Sequence, residues 1–160
     1  MARNDIVVAG LGEVGQPLFK LIEQRFPAVG IDIEPQPPIG ECAVLHVCYP
    51  FSKNFIATTV KYIEDYGPDL TIINSTVKPG TTREVFDITG TPLAYSPVRG
   101  KHARMQEDML RYAKFIGGID RQAGVAAAEH FKSIGLKTKS LPSPDSTRRR
   151  ASGLRLRSRP

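Results

Sequence analysis

The sequence predicts an α/β fold, a single domain doubly wound around a mainly parallel sheet. Three observations predict it. Short β-rich runs alternate with segments of helical period. A glycine-rich turn joins the first run to the first helical segment, as a tight βα connection requires. The composition, 160 residues with 41% apolar, 24% charged and no tryptophan, is that of one ordinary soluble domain and excludes a second full-sized one.

Ile6 to Ala9 reads as the first strand. Val14, Leu18, Leu21 and Ile22 then fall on one face of a helix, and Pro17 is tolerated because it sits in the first turn. Ala28 to Ile33 is the second strand, after which Pro35, Pro37 and Pro38 forbid regular structure. Cys42 to Tyr49 is continuously apolar except for His46, as expected of a third strand covered on both faces. A helix from about Lys53 to Tyr66 carries Ile56, Val60 and Ile63 inward, and Gly67 and Pro68 stop it. Leu70 to Asn74 is the fourth strand. It leads into a turn over 75–82 and a short helix through Phe86. Leu93 to Tyr95 and Phe115 to Ile119 read as two further strands. Between them lie a basic loop and an amphipathic piece with Met105, Met109 and Tyr112. A last helix, Gln122 to Ile134, ends at Gly135 and precedes a weak strand near Lys137 to Leu141. The domain is expected to occupy residues 1–144, and residues 145–160 read as a basic, disordered or adventitious tail.

Charge supports that division. Net charge is +6, yet residues 148–160 hold six arginines and no acid, so the preceding 147 residues carry 22 − 6 = 16 bases against 16 acids. A nucleic-acid argument therefore rests on the tail alone. Because the tail lacks interleaved aromatics and any nucleic-acid fold motif, nucleic-acid binding is disfavoured. The longest apolar run, Ile6 to Gly12, has seven residues, far short of the roughly 20 of a membrane span. No small-residue cleavage site follows Arg3, Asn4 and Asp5, so the expected compartment is the cytoplasm. Cys42 and Cys48 read as reduced, buried thiols, since an extended run would hold them roughly 20 Å apart. With no CxxC or Cys/His cluster, no metal site is expected.

Gly10-Leu11-Gly12-Glu13-Val14-Gly15 fits G-x-G-x-x-G between a strand and a helix. Gly10 permits the tight turn, Gly12 leaves the backbone bare for a pyrophosphate, and Gly15 lets the helix pack closely on the strand. Alone, this pattern also fits an ordinary βαβ turn. Asp32, 22 residues after Gly10, stands near the spacing expected of an acid that holds an adenosine ribose. Together they specify a Rossmann-like dinucleotide site. Ile33, Glu34 and Pro35 offer no cation for a 2′-phosphate, so NAD is preferred to NADP. The charge of Glu13 is a discord near phosphates unless it points to water.

With those residues placed, further segments carry a resemblance. They are His46-Val47-Cys48-Tyr49-Pro50, Asn74-Ser75-Thr76-Val77-Lys78-Pro79-Gly80-Thr81-Thr82, Ala94-Tyr95-Ser96-Pro97 and Lys114-Phe115-Ile116-Gly117-Gly118. From about Ile6 to Gly118 the chain resembles the N-terminal, NAD-binding domain of the UDP-glucose/GDP-mannose dehydrogenase family. The resemblance implies oxidation of a sugar C6 alcohol with hydride transfer to NAD, and NAD contacts at Gly12, Val14, Asp32, Tyr49, Pro50 and Thr76. With the neighbouring residues of each turn, the expected cofactor set is Gly10, Leu11, Gly12, Glu13, Val14, Gly15, Asp32, Ile33, Tyr49, Pro50, Ser75 and Thr76. The departures are as informative. Val98 stands where the family has a glutamate after the Ser-Pro pair, and the family's nucleophilic cysteine and sugar-binding residues lie in later domains. The span from Asp32 to Cys42 is also short beside the family's. A weaker resemblance, to 6-phosphogluconate and 3-hydroxyacid dehydrogenases, rests on Ser75-Thr76 and Pro97-Val98.

For chemistry beyond the cofactor, the basic loop Arg99-Gly100-Lys101-His102-Ala103-Arg104 falls at the carboxyl end of the sheet. Lys101 and its neighbours either hold a phosphate or carboxylate, with His102 taking the alcohol proton, or form a solvated loop. Thr76 either contacts cofactor or water, or stabilises its turn. His46 reads as a core histidine, His130 as a surface one, and Met105 and Met109 as core. Three functions stay open: an oxidoreductase completed by a homo-oligomer, a partner chain or a missing portion; a dinucleotide-binding module without turnover; and a nucleic-acid-associated protein using the tail. In the first, the substrate is a nucleotide sugar or a hydroxy acid.

Overall fold

The computed structural model describes residues 6–32, 42–98 and 102–142. Seven short strands form one sheet: β1 (Ile6–Ala9), β2 (Ala28–Ile31), β3 (Val44–Val47), β4 (Leu70–Ile73), β5 (Leu93–Tyr95), β6 (Lys114–Gly118) and β7 (Thr138–Ser140), in the order β2-β1-β3-β4-β5-β6-β7. The helices between them are α1 (Gly15–Glu23), α2 (Phe55–Tyr66), α3 (Thr81–Thr89), α4 (Met105–Arg111) and α5 (Arg121–Ser133). The first five strands in the order run parallel to their neighbours, β6 is antiparallel to β5, and β7 is parallel to β6. This is the doubly wound, mainly parallel sheet of a Rossmann-like fold.

The residues explain the elements. β1, wholly apolar, and β4, apolar but for Thr71, are fully buried, as a parallel sheet covered by helices requires. Between the strands α2 packs against α3, and α1 against α4, while α5 lies against β4–β7. The core is Val7, Val8, Leu18, Ile22, Leu45, Phe55, Ile72, Leu93, Ile116 and Phe131, all nearly inaccessible, with Met105 and Met109 buried beside them. Cys42 and Cys48 are buried and form no disulfide. Among the described residues, no helix is long and apolar enough to cross a membrane.

Several boundaries differ from the expected ones. β2 ends at Ile31, so Asp32 lies just beyond it, and Ile33 falls outside the described residues. β3 is four residues, not eight. Its flanks, Cys42 and Cys48, still bond to Tyr66 and Ala9 through backbone N–H groups. α3 continues past Phe86 to Thr89 because Gly90, at φ +65°, is the first residue to leave the helix. The apolar stripe fades earlier, since Ile88 is exposed. The tail of residues 145–160 lies outside the described residues.

Candidate functional site

Register sets the site. Ala9 pairs with Ile31 on one side and Val47 on the other, and Val47 pairs with Ile73. The residues that follow, Gly10, Asp32, Cys48 and Asn74, therefore leave the sheet at one level. Cross-strand bonds hold that row: Gly10 N donates to Ile31 O at 2.7 Å, Cys48 N to Ala9 O at 2.8 Å, and Asn74 N to Val47 O at 2.9 Å. From β1 the chain crosses first to β2 and later returns to β3, so the topological switch lies between β1 and β3. Ligands of open α/β sheets bind at such a point, outside the carboxyl ends of the strands.

A cleft of about 650 Å³ opens there. It is lined by Gly10, Gly12, Glu13, Val14, Asp32, Cys48, Tyr49, Pro50, Phe51, Ser75 and Thr76. The glycines divide the work. Gly10 has φ +94°, and a Cβ there would lie 2.6 Å from Tyr49 N, so the tight turn excludes a side chain. A Cβ on Gly15 would lie 1.6 Å from Gly10 O, so α1 packs directly on the turn. A Cβ on Gly12 would meet nothing within 4 Å, and Gly12 lines the cleft. Protein packing does not require glycine at that position; open space lies where its side chain would be.

Electrostatics favours an anion beside Gly12. α1 begins at Gly15, its cap residue Val14 supplies no side-chain acceptor, and its first turn contains no acid. The first-turn N–H groups of a helix lack intrahelical acceptors and carry the positive end of its dipole. A diphosphate satisfies both. Asp32 is exposed at the β2 end of the cleft, and Glu13 is exposed at its rim. At the far end, Ser75 Oγ donates to Tyr49 O at 2.6 Å and ties the exits of β4 and β3 together, while Thr76 is exposed to the cleft. Tyr49 is fixed by its hydroxyl at 2.6 Å from Thr59 Oγ1, and burial pushes its phenol pKa upward.

Of the expected cofactor set, the structure brings nine residues to the cleft: Gly10, Gly12, Glu13, Val14, Asp32, Tyr49, Pro50, Ser75 and Thr76. Leu11 and Gly15 do not line it. The Leu11 side chain lies over Gly30 of β2, whose missing Cβ makes room for it. Of the expected catalytic set, Thr76 is in the cleft. His102 opens a short 3₁₀ turn before α4, and Lys101 lies outside the described residues. Cys48 and Phe51 were not anticipated. Cys48 was read only as a buried thiol, although its position one residue past β3, level with Gly10, was available in the register. Burial pushes its thiol up to about 12, against the opposing effects of Lys114 and Asn74. Phe51 carried no signal beyond following Tyr49-Pro50.

One expectation is corrected. His130 is not a surface histidine: it is half-buried, with Nε2 2.8 Å from Nε2 of the fully buried His46. The helical wheel places it beside Phe131, which faces the sheet, so the amphipathic boundary passes through it. A second groove, of about 410 Å³, lies between the start of α3 and β5–β6, lined by Thr82, Arg83, Tyr95, Gly117 and Leu141 among others. It is smaller than the cleft, and neither the glycine turn nor Asp32 lines it. Among the described residues, no cluster of three His, Cys, Asp or Glu side chains is placed to hold a metal ion.

No protein-family model matches the chain, and no curated protein matches it. Solved structures do. The chain is similar to UDP-D-ManNAc dehydrogenase from Pyrococcus horikoshii, with a TM-score of 0.73 at 19% identity, covering 87% of this chain and 47% of that one. It is similar to UDP-N-acetyl-mannosamine dehydrogenase from Staphylococcus aureus, with a TM-score of 0.71 at 15% identity, 87% and 47% covered. GDP-mannose dehydrogenase from Pseudomonas aeruginosa gives 0.63 at 17% identity, 84% and 45% covered. The chain thus has the fold found in nucleotide-sugar dehydrogenases and spans about half of their length.

Proposed function

We propose that the chain is the NAD-binding domain of a nucleotide-sugar dehydrogenase-like oxidoreductase, catalytically incomplete on its own. The observation that carries the reading is Gly12: a glycine no neighbour requires, facing open space just before α1 in a cleft that Asp32 also lines. In this reading Gly12, Val14 and the first turn of α1 hold the diphosphate, and Asp32 accepts hydrogen bonds from the adenosine ribose hydroxyls. Tyr49, Pro50 and Phe51 wall the cleft, and Ser75–Thr76 meets the second ribosyl half. NAD, when bound, supplies the hydride acceptor.

The remaining chemistry is less complete. Val98 follows Pro97 with an apolar side chain, so no carboxylate stands at that point as acid or base. His102 and Lys101 are the proposed proton acceptor and anion-holding cation on the substrate side. A nucleotide sugar is the proposed substrate, and a partner chain or further domain supplies what is missing.

Calorimetric titration with NAD and NADP tests the cofactor. NAD is expected to bind more tightly, because the Asp32 carboxylate repels a 2′-phosphate at the position where it accepts a hydroxyl. Asp32→Ala is expected to weaken NAD roughly tenfold or more, the scale of a charge-assisted hydrogen bond. A wild-type protein that prefers NADP contradicts the assignment.

A further inference from the structure

A polar chain runs through the core beneath the cleft, and one residue fixes its direction. Lys114, at the start of β6, is buried. Its Nζ lies 3.1 Å from Asn74 Oδ1, 3.1 Å from Ser96 O and 4.7 Å from the centre of the Phe131 ring. An ammonium only donates, so the Asn74 oxygen faces Lys114 and its Nδ2 faces the other way. Nδ2 then donates to Ile72 O at 3.3 Å and to His46 Nδ1 at 3.1 Å. An imidazole that accepts at Nδ1 carries its proton on Nε2. His46 Nε2 therefore donates across 2.8 Å to His130 Nε2, and the His130 proton sits on Nδ1. Both imidazoles are neutral in this arrangement.

Asn74 is also a hub of the site edge. Its backbone N–H donates to Val47 O, its carbonyl accepts from Val98 N at 3.2 Å, and the next residue, Ser75, ties to Tyr49 O. Through its side chain and backbone Asn74 thus links β3, β4, the exit of β5 and the start of β6, and Thr76 lines the cleft two residues later. Buried amines are costly unless they are bonded, and this one sits at the ligand edge of the sheet.

We infer that Lys114 is a positioning residue for the cleft: by orienting the Asn74 amide it holds the Ser75–Thr76 turn in the shape that receives the nicotinamide–ribose half of the dinucleotide. This rests on the NAD reading above. It is independent of the adenosine half, which meets Gly12 and Asp32 on the other side of β1. Lys114 touches no reacting atom and acts through Asn74.

The test uses the full chain and Lys114→Met, which keeps the volume and removes the donors. In ligand-free protein, the amide resonances of Ser75 and Thr76 are expected to shift while those of Gly12 and Asp32 stay. Calorimetry is expected to show NAD weakened about tenfold, with AMP, which uses only the adenosine half, unchanged within twofold. Unmoved Ser75–Thr76 resonances, or NAD and AMP weakened alike, overturn the inference. A wild type that binds neither nucleotide sinks the NAD reading instead, while the ligand-free resonances still decide what Lys114 does to the turn. Should the variant not fold, nitrogen-15 histidine spectra of the wild type decide. His46 protonated on Nε2 and His130 on Nδ1 support the inference, and His46 protonated on Nδ1 overturns it.

Discussion

Gly12→Val and Gly15→Ala separate ligand space from packing space within one turn. At Gly12 a side chain enters open cleft, and its φ is not in the left-handed region, so the variant is expected to melt like wild type and bind NAD at least tenfold more weakly. At Gly15 a single methyl collides with the Gly10 carbonyl, and α1 must move. That variant is expected to lose about 1–3 kcal/mol of stability, the usual cost of overpacking. Thermal melts and titrations on both variants check this; a Gly12→Val protein that is destabilised yet binds NAD normally reverses the assignment. The residues of this turn and Asp32 were legible in the sequence because backbone geometry dictates their spacing. His130 was not, because a helical wheel assigns a face and not a partner, and its partner lies 84 positions away.

The polar chain between β3, β4, β6 and α5 gives the fold a pH signature. Burial lowers His46 well below its ordinary value, with His130 and Lys114 adding to the effect, and burial alone lowers His130 to about 4. Unfolded imidazoles take up protons below about pH 6.5, while folded His130 stays neutral to about 4 and burial keeps folded His46 neutral well below its ordinary range. The unfolded state then binds more protons, so stability falls as pH drops through that window, by about 1.4 kcal/mol per pH unit for each imidazole. Urea midpoints from pH 7 to 4 are expected to trace this fall, and His130→Ala to make it shallower; a flat profile contradicts the neutral pair. Lys114 acts at the other end. Burial lowers it to about 8 from 10.5, so stability is expected to rise as pH increases between those values. Strand and helix order were legible because apolar runs and helical stripes alternate. Element ends were less so. α3 is extended by Gly90 beyond its apolar stripe, and the ends of β3 are fixed by pairing with neighbours remote in sequence.

For the whole molecule, the sheet order and the switch between β1 and β3 place a cleft of about 650 Å³ at the carboxyl ends of the strands, and the similar dehydrogenases are about twice as long. The chain alone is therefore expected to bind NAD without forming NADH from UDP-glucose or GDP-mannose. NADH absorbance checks this, and turnover by the isolated chain contradicts the proposed incompleteness. The fold class was readable because one glycine turn and one acid specify a crossover, whereas the substrate side was not, since no pattern in the sequence around Lys101 and His102 dictates a geometry. The most direct measurement of the central claim is amide chemical-shift mapping during NAD titration. Perturbations concentrated at Gly10–Gly15, Asp32, Tyr49–Phe51 and Ser75–Thr76 are predicted. Perturbations confined to Thr82, Arg83, Tyr95 and Gly117 at the second groove, or none at saturating NAD, would contradict it.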